Sequence, residues 1–181
     1  QGTRLLRAKV IKDGLPLADF LKIIAQREPP RIAGTAIYLT SEPETTPPAL
    51  MHSMKHYRVL HEKNVMLRVV NEPRPYLEEA KRSEMTDLGD GFWSLVVRYG
   101  YMESPNIPKA LAVLRKQGFK FDIMATSFFL SRRTIVASSV SSLAAWRRQL
   151  FVFLSKNSAD PTSFFHLPPG RVVELGTQVS L

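Results

Sequence analysis

A chain of 181 residues with 44% hydrophobic side chains can bury one continuous core, and its evenly spread aromatic and β-branched residues exclude wholesale disorder. The formal net charge of +9 suits a nucleic acid, an anionic membrane surface or an acidic partner, and carries no information about fold. The absence of cysteine excludes disulfide frameworks and thiolate metal sites, and no apolar run approaches the roughly 18–20 residues of a membrane-spanning helix.

In chain order, residues 3–26 read as helix, interrupted at Gly14-Leu15-Pro16 and resumed on an apolar stripe of Leu17, Phe20, Leu21 and Ile24. Pro29-Pro30 stops it, so residues 1–30 are expected to be a connecting arm and 31–181 the folded body. The β-prone run 35–40 follows Gly34, a loop rich in Pro, Glu and Thr comes next, and Pro47-Pro48 opens a helix to about Tyr57. The Val-rich run 64–71 reads as a buried strand, which completes the outline of a βαβ unit.

The middle is expected to turn antiparallel, with strands 82–88 and 92–99 joined at Asp90-Gly91, a pair suited to positive φ. Ser104 is the expected cap of a helix 105–117 that Gly118 stops, with Ile107, Ala110, Leu111 and Leu114 as its buried face. The segment 126–137, apolar on both sides of Ser131-Arg132-Arg133, predicts a second strand pair. Ser142 would cap a helix carrying Leu143, Trp146, Leu150, Phe153 and Leu154. A short helical turn from Asp160-Pro161 through Phe165 ends at Pro168-Pro169-Gly170, and 171–181 closes as a strand. The fold expected is α/β with mixed α+β character: a single mixed sheet with a parallel βαβ start and antiparallel hairpins, helices packed on it.

Charge is unevenly placed. No acid lies between Asp122 and Asp160, whereas Arg132, Arg133, Arg147, Arg148 and Lys156 do; Arg4, Arg7, Lys9 and Lys12 all precede the first acid, Asp13. The opening residues carry neither Met nor a signal-peptide apolar region, so Gln1 is expected to lie inside a longer chain.

Four ordered segments carry a family likeness: Arg-Ile-Ala-Gly-Thr-Ala-Ile-Tyr-Leu-Thr-Ser from Arg31; the run 47–62 with its Pro-Pro-Ala-Leu and Leu60-His61-Glu62; Ala-Thr-Ser-Phe-Phe-Leu-Ser-Arg-Arg-Thr-Ile from Ala125; and Pro-Pro-Gly-Arg-Val-Val-Glu-Leu-Gly-Thr-Gln-Val from Pro168. With these, nearly the whole chain resembles the cytoplasmic C-terminal domain of the KUP/HAK/KT potassium-uptake transporters, most closely their bacterial branch. The resemblance implies about a dozen membrane helices ahead of Gln1 that carry K⁺ with H⁺ in symport. It also implies a place on the cytoplasmic face of the bacterial inner membrane and no bound cofactor in this domain. The family often carries an acid where Arg133 stands, and here the Arg132-Arg133 pair doubles a positive charge instead. The expected partners are the chain's own transmembrane domain and an anionic membrane surface, reached through Arg4, Arg7, Arg132, Arg133, Arg147 and Arg148.

Chemistry within the chain itself is sparse. His52, His56 and His61 have partial metal-ligand spacing, but no His-Glu-x-x-His motif or second ligand cluster accompanies them, and structural contacts are the stronger reading. No Gly-x-Ser-x-Gly occurs, the serines at 138, 139, 141 and 142 read as turn and cap residues, and Asp87 and Asp90 sit in a turn; no enzyme is expected. A nucleotide-sensing module is the alternative reading. The loop 41–48 would be its lip at the end of a strand, although no Gly-rich phosphate loop is present. The resemblance extends this to cyclic dinucleotides, which regulate some bacterial relatives. Arg132, Arg133, Arg147 and Arg148 with Phe128, Phe129 and Trp146 could serve RNA, but those aromatics fall on apolar faces and read as core, so nucleic acid is the weaker partner. The apolar girth around 150–154, including Phe151 and Val152, suits a homodimer contact.

Overall fold

The computed structural model describes residues 14–116, 119, 122–136 and 161–180. Local sequence rules account for most of its elements. Helix α1, Leu17–Arg27, follows Pro16 and buries Leu17, Phe20 and Ile24 along its apolar stripe; Glu28 closes it in the left-handed conformation. Strand β1, Arg31–Leu39, is followed by helix α2, Pro48–His56, whose first residue is a proline that needs no N–H partner there. Strand β2, Leu60–Glu72, runs parallel to β1, so the βαβ unit is present.

Strands β3, Ser83–Gly89, and β4, Phe92–Gly100, form the expected hairpin. Asp90 at φ 49° and Gly91 at φ 74° make its two-residue turn, the geometry that Asp-Gly tolerates. Helix α3, Ile107–Lys116, buries Ile107, Ala110, Leu111 and Leu114. Its cap is Asn106, not Ser104: the Asn106 Oδ1 accepts the Lys109 N–H at 2.9 Å. The helix starts later than the Ser104 reading because Asn106 is held by Tyr99, whose hydroxyl donates to the Asn106 carbonyl at 2.8 Å and accepts the Asn106 N–H at 3.0 Å. The expected stop at Gly118 and the expected helix from Ser142 lie outside the described residues.

Strand β5, Thr126–Val136, corrects a second expectation. Ser131, Arg132 and Arg133 do not turn the chain between two strands; they continue one strand, opposite Leu175, Gly176 and Thr177 of β6, Val172–Ser180. Nothing from 126 to 136 is Gly, Pro, Asn or Asp, so the segment lacks the strongest turn formers, and its polar residues, Ser131 included, are accommodated by pairing. A short helix α4, Pro161–Phe164, and a 3₁₀ turn, Pro169–Arg171, precede β6.

One six-stranded sheet results, in the order β3-β4-β2-β1-β5-β6. Only the β3–β4 pair is antiparallel; the sheet is mixed as expected, with one hairpin among the described residues. Strand alternation divides the core between its two faces. Ile37, Val65, Leu67, Leu95, Val97, Phe128 and Leu130 pack with α3 on one face. Ala36, Tyr38, Met66, Phe92 and Phe129 pack with α1 and α2 on the other. This is a three-layer, doubly wound arrangement.

Gly34 is one of the positions in this framework that require glycine. Gly34 has φ 112°, and a Cβ there would meet the Ala125 carbonyl oxygen at 2.8 Å. It lies in the register shift between Ile32 and Thr35 that lets β1 pair with β2 and then close on β5.

Candidate functional site

The winding creates a crevice. From β1 the chain passes through α2 to β2 on one face, and after β4 it returns through α3 on the opposite face to β5, which lies on the other side of β1. Neighbouring β1 and β5 therefore belong to halves that wind in opposite directions, and beyond their shared ladder, which ends at Tyr38 and Phe129, the strand ends part. In doubly wound sheets this switch point at the carboxyl ends of the strands is where ligands bind.

A cavity of about 340 Å³ lies there. Leu39, Leu67, Val69, Leu130 and Phe165 form apolar walls, and Thr40, Ser41 and Ser131 supply hydroxyls. Two of the three differ in state. The Thr40 hydroxyl is engaged with Glu42, donating to its carbonyl and accepting its N–H, both at 3.1 Å. The Ser131 hydroxyl is buried without a hydrogen-bond partner among the described residues. Such a group costs free energy until something pairs with it. Among the described residues no titratable side chain lines the crevice, so what they form suits a small, largely uncharged molecule and offers no general acid or base. Loop 41–48 does reach it, through Ser41 and Pro48.

The titratable groups with perturbed environments lie elsewhere. Burial pushes the Tyr38 hydroxyl up to about 12, with Ser53 pulling the other way, and the ring stacks on Phe129 at 4.8 Å. Burial lowers the His61 imidazole, which meets Phe129 edge-on at 6.0 Å. His52 and His56 stack on one another at 5.9 Å, and no cluster of three or more His, Cys, Asp or Glu that could hold a metal occurs among the described residues.

The basic residues singled out in the sequence are only partly visible. Arg132 is exposed and ion-paired with Glu174 at 3.6 Å, and Arg133 stands in β5 opposite Thr177. Arg4, Arg7, Arg147 and Arg148 lie outside the described residues, and the expected cluster lies there with them. The described residues assemble another group of cations. Arg27 at the end of α1, Lys55 in the last turn of α2 and Arg58 just beyond it line a groove of about 810 Å³ between the two helices. These cations are scattered in the sequence, where no run marks them; the only signal was their common place at helix ends.

Among the described residues no helix is long and apolar enough to cross a membrane. Residues 33–181 match the model of the family described as K⁺ potassium transporter C-terminal domain. Over all 181 residues the chain is 55% identical to a probable potassium transport system protein Kup of Caulobacter vibrioides strain NA1000, covering 27% of that protein. It is 50% identical to a probable Kup 2 of Mesorhizobium japonicum and 48% identical to one of Bradyrhizobium sp. strain ORS 278, covering 28% of each. The chain thus spans little more than a quarter of the curated relatives it matches. No solved structure gives a significant match. With the family match extending from β1 to the last residue, the chain belongs to the K⁺ potassium transporter C-terminal domain family.

Proposed function

We infer that this chain is the cytoplasmic accessory domain of a membrane K⁺ transporter, a K⁺/H⁺ symporter of the bacterial inner membrane, and that it couples, regulates or assembles a membrane part carrying the ion pathway. The observation that carries this reading is end-to-end identity with potassium transport system proteins nearly four times its length, together with the lack of a spanning helix among the described residues. Ion conduction needs oxygen-lined sites within the bilayer, which such a domain does not supply. Its helix α2 supports a coupling role. Pro48 at one end lines the switch-point crevice, while Met51, His52, Met54 and Lys55 line the groove, so occupants of the two sites press on one nine-residue helix.

The test is a transplant into the Caulobacter relative. Replacing the matching quarter of that protein with this chain is expected to restore growth of K⁺-uptake-deficient cells at limiting K⁺. Deleting the quarter is expected to lower ⁸⁶Rb⁺ uptake at unchanged membrane abundance. Full uptake by the deleted protein would remove any coupling or regulatory role.

A second reading, nucleotide sensing, is favoured by one feature, the switch-point crevice with the unpaired Ser131 hydroxyl. Its uncharged lining suits a nucleobase better than a phosphate. In calorimetry, adenosine, AMP, ATP and cyclic dinucleotides are expected to give heats that Leu39→Trp abolishes by filling the cavity. Flat titrations at millimolar ligand would end this reading.

A further inference from the structure

We propose that the groove between α1 and α2 is a seat for an anionic phospholipid, holding acyl chain on its floor and phosphate at its rim. The floor is apolar, and Ile23 and Met51 remain 38% exposed at its lips, with Met54 half-buried beside them. Methionine at such a place adapts to chains of irregular shape. The rim carries Arg27, Lys55 and Arg58, all exposed, with His52 beside them, and among the described residues no carboxylate lines it. None of the three cations has an ion-pair partner among the described residues. Arg58 moreover stands at φ 56°, the left-handed position after a helix where glycine or asparagine is usual. The helix C-termini stabilise these cations, and an apolar slot ringed by positive charge selects an amphiphile with a negative head.

Other occupants fit less well by charge. The chain's own remaining segments are basic: Arg4, Arg7, Lys9 and Lys12 against Asp13, and Arg147, Arg148 and Lys156 against Asp160. A second copy in a two-fold pairing would bring the same positive rim against itself. A lipid supplies both the apolar chain and the anion, and the bilayer is at hand if the chain serves a membrane transporter; the inference rests on that reading for proximity alone.

Flotation of the 181-residue chain with vesicles tests it. Pure phosphatidylcholine vesicles are compared with ones containing about 30% phosphatidylglycerol at about 100 mM salt, where screening leaves only short-range attraction. Binding is expected to the anionic vesicles and at least about tenfold less to the neutral ones. Each basic residue near an anionic surface strengthens partition about fivefold, so Lys55→Gln with Arg58→Gln should weaken binding about thirtyfold. Lys109→Gln with Arg115→Gln removes the same charge from α3, on the opposite face of the sheet, and should change it less than about threefold. Ile23→Asn with Met51→Gln leaves charge unchanged and should also weaken binding. In the wild type, anionic vesicles should slow hydrogen exchange at 17–30 and 48–58, a readout independent of how the variants fold. Equal losses from the α3 control would reduce the effect to net charge and overturn the proposal. So would anionic-vesicle binding insensitive to the Ile23 and Met51 changes, or binding of an acidic amphipathic peptide in place of vesicles. The assay measures no K⁺ uptake, so a flat result leaves the transporter reading standing, and failed uptake leaves a vesicle result standing.

Discussion

Replacing Phe92 with alanine is expected to lower the unfolding free energy by about 3–5 kcal/mol, read as a fall in the urea midpoint at unchanged slope. Phe92 opens β4 and is fully buried. Its ring takes Phe20 of α1 edge-on at 6.2 Å, and the Arg31 guanidinium lies 5.8 Å from its centre. Arg31 in turn reaches Asp90 of the hairpin turn at 3.0 Å. The alanine therefore removes a large apolar volume and loosens three elements at once: α1, the start of β1 and the β3–β4 turn. Phe92→Leu keeps most of the volume and should cost about 1–2 kcal/mol. Because Phe20 and Ile24 also form one wall of the α1–α2 groove, the alanine variant is further expected to bind anionic vesicles less well even below its unfolding midpoint.

Arg82→Ala should be the second most damaging of these changes, at about 2–3 kcal/mol in the same measurement. The guanidinium makes a two-pronged pair with Glu103 at 2.6 and 3.2 Å, bonds the Leu77 carbonyl at 3.1 Å and lies 4.7 Å from the Tyr99 ring centre. Its side chain is 14% exposed and that of Glu103 15%, so water compensates little when one partner is lost. Glu103 also accepts the Gly100 N–H at 2.6 Å, which ties the end of β4 to the approach to α3. The Arg82 hydrogen bond, opposed by burial, holds the Glu103 carboxyl below its ordinary 4.5. A carboxyl lowered in the folded state contributes stability that is complete above the unfolded value and is lost as pH falls through the folded one. Glu103→Gln should therefore cost stability at neutral pH and show a flatter decline below about pH 4.5 than the wild type. An unchanged acid limb in that variant would mean that the pair contributes nothing to the pH dependence.

The bidentate pair and the lipid groove lie on different parts of the fold. Arg82 and Glu103 anchor the β3–β4 edge, whereas the groove cations belong to α1 and to the end of α2. Loss of the first should reduce stability with little effect on vesicle affinity; loss of the second should do the reverse. Comparing the two sets separates a structural contribution from a binding one.

Periodicity and turn chemistry in the sequence alone determined most elements. The stripe of Leu17, Phe20 and Ile24, the proline opening α2, the Asp90-Gly91 turn and the buried face of α3 are each set by neighbours a few residues apart. The family was likewise readable, because its four segments lie in order along the chain. Where local reading failed, a partner outside the element itself decided. Tyr99 moved the α3 cap to Asn106, and β6 turned the polar stretch Ser131-Arg132-Arg133 into the middle of a strand. The strand order, and with it the crevice, depended on joining Thr35 to Thr126 across ninety residues of chain, which no window of sequence reports. The groove is the same case: Arg27, Lys55 and Arg58 are unremarkable where they stand in the chain and become one positive rim only when α1 and α2 pack side by side. Residues near in sequence interact through backbone propensity, whereas a site is made by residues near in space, and only the sheet's winding sets that nearness.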